Sequence, residues 1–170
     1  MKPTFRLGGE LGGDLGEVFR EHQAGLVRLA AFILGDRSAG EDVVQDVFVR
    51  MHQRGHPEDG NPLPYLRAAV VNGCRSALRR RRLIRRHAEG HSPCPPLTAE
   101  EAAMLSEDRR QVLVALATLP PRRREVLVLR FYLELSEAEI AATLGISPGT
   151  VKSTTARGLT ALARMLKETP

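Results

Sequence analysis

Apolar positions recur at helical spacing through most of the chain. Leu15, Val18, Phe19, Leu26, Leu29, Ala30 and Ile33 fall on one stripe, which predicts a helix from about Leu15 to Leu34. Gly35-Asp36-Arg37-Ser38 reads as a turn. A second helix is expected from about Ala39 to Arg54, with Val43, Val44, Val47, Phe48 and Met51 on its apolar face. Asp42, Gln45, Asp46 and Val49 stand at i, i+3, i+4 and i+7 on its opposite side. Gly55 to Pro64 holds two Gly and three Pro and cannot be regular structure. A third helix follows from about Leu63 to Arg86 and ends in a run of arginines broken only by Leu83 and Ile84.

The pattern then lapses. HAEGHSPCPPLTAEE places Pro93, Pro95 and Pro96 within four positions, which is the composition of an extended linker. Beyond it, Asp108 to Leu119 reads as a helix with Val112, Leu113, Leu116 and Leu119 inward. Pro120-Pro121 breaks that helix, and Arg122 to Leu133 forms the next. No segment shows sustained strand alternation, and no repeat recurs at solenoid spacing. The expected fold class is therefore all-α: two small helical domains joined by a Pro-rich flexible linker. The divisions are a glycine-rich disordered tail (1–13), a first domain (14–86), the linker (87–106) and a second domain (107–167).

Residues 136–166 carry the most specific local pattern, a helix-turn-helix. Ser136 and Glu139 have capping-box spacing, and Ile140, Ala141 and Leu144 face inward. Gly145 supplies a turn that tolerates left-handed φ, Ile146 plugs the core, Ser147 caps the next helix and Pro148 takes its first turn. Val151 points back into the core. That phase puts Lys152, Ser153, Ala156, Arg157 and Thr160 on one exposed face, suited to a major groove.

Composition sharpens this reading. Aromatics are 4% of the 170 residues and Trp is absent, so the core must be built from Leu, Val, Ile and Ala, which favours helices. The longest apolar runs are short, excluding a membrane span, and the N-terminus lacks a secretory h-region. Cys74 and Cys94 are too few to staple a secreted fold, which leaves a soluble, cytoplasmic chain. Residues 1–86 carry 15 basic and 10 acidic side chains, and residues 107–170 carry 10 and 7. Residues 87–106 carry three acids and no Lys or Arg. Two basic bodies with an acidic strip between them suit a polyanion gripped at two places.

With those residues in view, the chain resembles the extracytoplasmic-function (ECF) group of bacterial sigma-70 factors, and its Thr-Val-Lys-Ser-Thr-Thr-Ala-Arg run is similar to actinobacterial members. LPPRRREVLVLRFYLELSEAEIAATLGISPGTVKSTTARGLTALARML (119–166) is similar to region four. AGEDVVQDVFVRM (39–51) and PLPYLRAAVVNGCRSALRRRR (62–82) resemble the two region-two helices, in the family's order and spacing. The resemblance implies a sigma factor that binds core RNA polymerase through its β′ and β subunits and directs promoter recognition, local melting and initiation. It implies no cofactor, no small-molecule substrate and no catalytic residue.

By that resemblance, Asp42, Gln45, Asp46 and Val49 dock on a β′ coiled coil. Asn72, Ser76, Arg79 and Arg80 meet the minus-ten element, and a loop at about Gly55 to Pro62 catches a flipped base. Lys152, Ser153, Ala156 and Arg157 enter the minus-thirty-five major groove. The linker, with Glu89, Glu100 and Glu101, runs toward the RNA exit path. Asp46, Ser76 and Thr154 depart from the Glu, Asp and Arg common in the family, so promoter sequence does not carry over. The resemblance also admits an anti-sigma protein as a further partner.

Other chemistries fare worse. His87, His91 and Cys94 have H-x3-H-x2-C spacing, with Cys74 as a distant fourth ligand, but a Pro-rich tether and a packed helix position make a poor zinc cage. No Walker loop, G-x-S-x-G or H-E-x-x-H motif occurs, so no enzyme is expected. The rival reading is a helix-turn-helix regulator acting without polymerase. It accounts for residues 136–166 but leaves the acidic stripe and the second basic helix unexplained.

Overall fold

A computed structural model of the chain describes residues 12–54, 62–85, 100 and 103–168. The main α-helices among the described residues are α1 (Gly12–Leu34), α2 (Arg37–Arg54), α3 (Leu63–Arg85), α4 (Glu107–Thr118), α5 (Pro121–Leu127), α6 (Glu137–Leu144) and α7 (Pro148–Glu168). The described residues contain no strand. The tail before residue 12, the loop at 55–61 and the proline cluster of the linker lie outside the described residues.

Helices α1, α2 and α3 form the first bundle. The apolar face read from the sequence, Val43, Val44, Val47, Phe48 and Met51, is buried against Leu26, Leu29, Ile33, Leu66 and Val70. Each such side chain contributes about 1.5–3 kcal/mol on full burial. Gly40 permits the tight α1–α2 crossing, because a Cβ there would lie 2.9 Å from the Ala31 amide nitrogen. Phe19 meets Phe48 edge-on, ring centroids 4.4 Å apart.

Helix α2 begins at Arg37, earlier than the apolar stripe predicts. Asp36 is the reason: its Oδ1 accepts from the Ala39 amide at 3.0 Å and so caps the helix. Its Oδ2 accepts from Arg81 of α3 at 2.9 Å. One carboxylate thus starts α2 and ties it to α3.

Helices α4 to α7 form the second bundle. The single helix expected over Arg122–Leu133 divides into α5 and a widened π turn, Val128–Tyr132. The Leu133 amide reaches the Val128 carbonyl at 3.3 Å, the Leu135 amide reaches the Leu129 carbonyl at 3.1 Å, and Glu134 adopts φ 55. This widening re-aims the chain into the Ser136 cap. In α4 only part of the expected apolar face is covered. Leu119 is buried, Leu113 and Leu116 are half-buried and Val112 is exposed, all three of the latter along an open groove.

The two bundles pack directly on each other, which no local pattern in the sequence predicts. Val126, Val128, Leu129, Ile140, Leu144 and Val151 join the same buried cluster as Leu29, Val44 and Val70. Phe32 of α1 meets Tyr132 edge-on, ring centroids 5.0 Å apart.

Candidate nucleic-acid and polymerase interface

The helix-turn-helix forms as its residue types require. The Ser136 hydroxyl accepts from the Glu139 amide at 3.2 Å, while the Glu139 carboxylate accepts from the Ser136 amide at 2.8 Å. The Ser136 hydroxyl also donates to that carboxylate at 2.6 Å, and this bond, then the one from the Ser136 amide, holds the Glu139 carboxyl below its ordinary value. Gly145 closes α6 at φ 63, a left-handed angle that costs any other residue. Ser147 accepts from the Thr150 amide at 3.2 Å and caps α7. Ile140, Ala141, Leu144 and Val151 are buried, and Ile146 packs half-buried against them.

That packing sets the phase of α7. Lys152, Ala156, Arg157 and Thr160 are exposed. Ser153 is half-buried, and its hydroxyl donates to the Thr150 carbonyl at 3.2 Å. Gly158, on the opposite side, lies so close to Leu127 that a Cβ would come within 3.1 Å. Lys152, Arg157 and the small Ala156 therefore share an exposed face turned away from that packing.

On α3, Asn72, Ser76, Arg79 and Arg80 are all exposed. Arg79 donates to the Ser76 hydroxyl at 3.0 Å, and that hydroxyl donates to the Asn72 carbonyl at 3.0 Å, which lines the three along one face. Tyr65 stands exposed near the start of the helix. On α2, Asp42, Gln45, Asp46 and Val49 are exposed, and Asp46 accepts from Arg50 at 3.3 Å. An exposed pair of that kind is worth little in stability, which leaves the carboxylates available to a partner.

Three features at the seam between the bundles gave no recognisable signal in the sequence. Arg124 is buried and donates to the carbonyls of Ile33 at 3.3 Å, Leu119 at 3.0 Å and Ala117. Glu125 is also buried, accepting from Arg122 at 2.6 Å and lying 3.5 Å from Arg75 of α3. An apolar groove of about 950 Å³ runs between α1 and the second bundle, past Phe32, Val112, Leu116, Phe131, Leu159 and Leu162. Three of these charged residues sit in the RRRE run, where the sequence looks like an ordinary solvated segment.

Cys74 is buried, and burial with the nearby Glu125 charge pushes its thiol up to about 12, so it is chemically quiet. His87, His91 and Cys94 lie outside the described residues. Among the described residues no cluster of three or more metal-ligating side chains forms, and no helix is long and apolar enough to cross a membrane.

Comparison with known proteins agrees with this architecture. Residues 18–84 match the family model described as sigma-70 region 2, and residues 109–162 match that of sigma-70, region 4. The chain is 33% identical over 154 residues to the RNA polymerase sigma-E factor of Streptomyces coelicolor, covering 89% of this chain and 84% of that protein. It is 34% identical over 157 residues to the ECF RNA polymerase sigma factor SigL of Mycobacterium tuberculosis, covering 89% and 88%. The fold is similar to that of the sigma factor RpoE from Bartonella quintana, solved with the anti-sigma factor NepR. The TM-score is 0.72 at 22% identity, over 92% of this chain and 99% of that one. The chain accordingly belongs to the ECF group of the sigma-70 family: it is a transcription-initiation factor that binds core RNA polymerase and promoter DNA.

Proposed function

We propose that three separate exposed faces divide the work of initiation. Asp42, Gln45, Asp46 and Val49 of α2 form the polymerase contact, where carboxylates meet basic side chains and Val49 supplies a small apolar anchor. Asn72, Ser76, Arg79 and Arg80 of α3 contact the minus-ten element, Asn toward base edges and Arg toward phosphates. Lys152, Ser153, Ala156 and Arg157 of α7 enter the minus-thirty-five major groove. The domain division follows: region two over 14–86, linker over 87–106, region four over 107–167.

The observation that supports this reading over a lone helix-turn-helix regulator is the exposed acidic stripe on α2, on the same chain as two basic faces. In a DNA-only regulator these carboxylates would be no more than a solvated face, since they repel phosphate. The chain acts by binding rather than catalysis, in the cytoplasm where polymerase works. An anti-sigma protein, the partner of the Bartonella quintana RpoE, is a further partner of the same kind.

Reconstitution with core polymerase on promoter fragments tests the assignment. Alanine at Asn72 with Arg79 should weaken opening around the minus-ten element and leave upstream protection intact. Alanine at Lys152 with Arg157 should do the reverse. Identical footprints from both variants would remove the division of labour.

A further inference from the structure

We infer that the groove between α1 and the second bundle is a binding site for one free long-chain fatty acid. The acyl chain lies along α4, and Arg28 and Arg109 hold the carboxylate. None of the faces assigned above to polymerase or promoter uses this groove, so the inference stands apart from that reading.

Shape selects a linear, apolar ligand. The volume of about 950 Å³ lies within the range of small-molecule sites, roughly 300–1,000 Å³. Asp108, Arg109, Val112, Leu113 and Leu116 of α4 line it on one helical stripe, about 12 Å long at 1.5 Å per residue. Met104 and Leu105 continue the trough beyond the start of the helix. A long, mostly aliphatic trough of this kind suits a methylene chain better than a compact ring. Phe131 is 59% exposed and Leu159 42%, so the opposite wall keeps apolar surface in water. Covering that surface is favourable in proportion to the area removed from water.

Charge selects the headgroup. The walls carry three ionisable side chains, Arg28, Asp108 and Arg109. Among the described residues none of the three makes a hydrogen bond or an ion pair. Their sum is one positive charge, which matches a single carboxylate rather than a dianionic phosphate. The two arginines are also placed together. Arg124 draws the ends of α1 and α4 to a junction by donating to the carbonyls of Ile33 and Ala117. Arg28 lies about 7 Å back from that junction along α1, and Arg109 about 12 Å back along α4. Phe32 and Leu116 stand at the junction itself. The groove is thus apolar at one end and cationic toward the other. Two guanidiniums offer a carboxylate charge-assisted, bidentate hydrogen bonds, the pairing their planar fork fits.

Titration of the full chain with palmitate, kept below its micelle concentration, tests this. One molecule should bind per chain. Myristate, and then laurate, should each bind about tenfold more weakly than the acid two methylenes longer, because every buried methylene adds a similar increment. Lauryl alcohol, uncharged, should bind about tenfold more weakly than laurate. Arg28→Ala with Arg109→Ala should lower laurate to the affinity of the alcohol and leave the alcohol unaffected. Val112→Asp sets a carboxylate at the exposed rim of the groove and should abolish binding of all three acids. If that variant fails to fold, the arginine pair still decides. Equal affinity for the three acids, several molecules per chain, or full laurate affinity in the arginine variant would overturn the site. So would a dimer, or sedimentation with phosphatidylglycerol vesicles, that Val112→Asp abolishes, since the groove would then belong to a second copy or to a membrane.

Discussion

Asp36 and Arg81, 45 positions apart in sequence, meet at 2.9 Å, while the other oxygen of Asp36 caps α2 through the Ala39 amide. A single carboxylate therefore fixes where α2 starts and how α3 lies against it. Loss of the cap in Asp36→Ala should cost about 0.5–2 kcal/mol. The half-exposed ion pair adds no more than about 1 kcal/mol. Asp36→Asn keeps the cap and should recover most of the loss in a urea melt. Equal destabilisation by both variants would mean that the ion pair outweighs the cap.

Reversing Asp42 and Asp46 to Lys places two cations where two exposed carboxylates stand. Both side chains point away from the core, so helix content and melting temperature should hold. Binding to core polymerase should fall several-fold or more in a co-elution or fluorescence-anisotropy titration. Undiminished affinity in that double variant would detach α2 from the polymerase contact.

Arg157 and Lys152 stand about one turn apart on the exposed face of α7 and make different expectations. If Arg157 reads a guanine edge, Arg157→Ala should cost about 1–3 kcal/mol and relax preference at one promoter position. Lys152, closer to the helix start, is expected to hold a phosphate. Lys152→Ala should weaken binding evenly across sequences and lower the salt slope by about one unit. A promoter-library selection at two salt concentrations distinguishes the two. Unchanged preference and unchanged output in both variants would show that the recognition face lies elsewhere.

Glu125 offers a pH test of the seam. Burial raises its carboxyl above the ordinary value, and the hydrogen bond from Arg122 with the charges of Arg122 and Arg75 only partly offsets this. A folded value above the unfolded one means that the folded state holds the proton more tightly. This contribution to stability is fully present below the unfolded value, about 4.3, and is lost as pH rises through the folded one. Relative to Glu125→Gln, the wild type should therefore gain stability as pH falls from 7.5 toward 5. A relative loss on acidification would show that the two arginines outweigh burial.

Most of the helices, and the capping of the helix-turn-helix, were legible in the sequence because both depend on residues within a few positions of each other. Ser136 with Glu139, Gly145 and Val151 fix the helix-turn-helix by local hydrogen bonds, a left-handed angle and a 3.6-residue phase. The same phase brought Asp42, Gln45 and Asp46, and separately Asn72, Ser76 and Arg79, onto exposed faces. Tertiary structure alone decided the π turn at Val128–Tyr132, the reach of Arg81 to Asp36 and the burial of Arg124 and Glu125. It also decided that the two bundles share one core. Each of these depends on partners many residues distant. A charge in the run Arg122-Arg123-Arg124-Glu125 has the same local signature whether it faces water or a neighbouring helix. Only the packing of α1 and α3 against that run makes the difference.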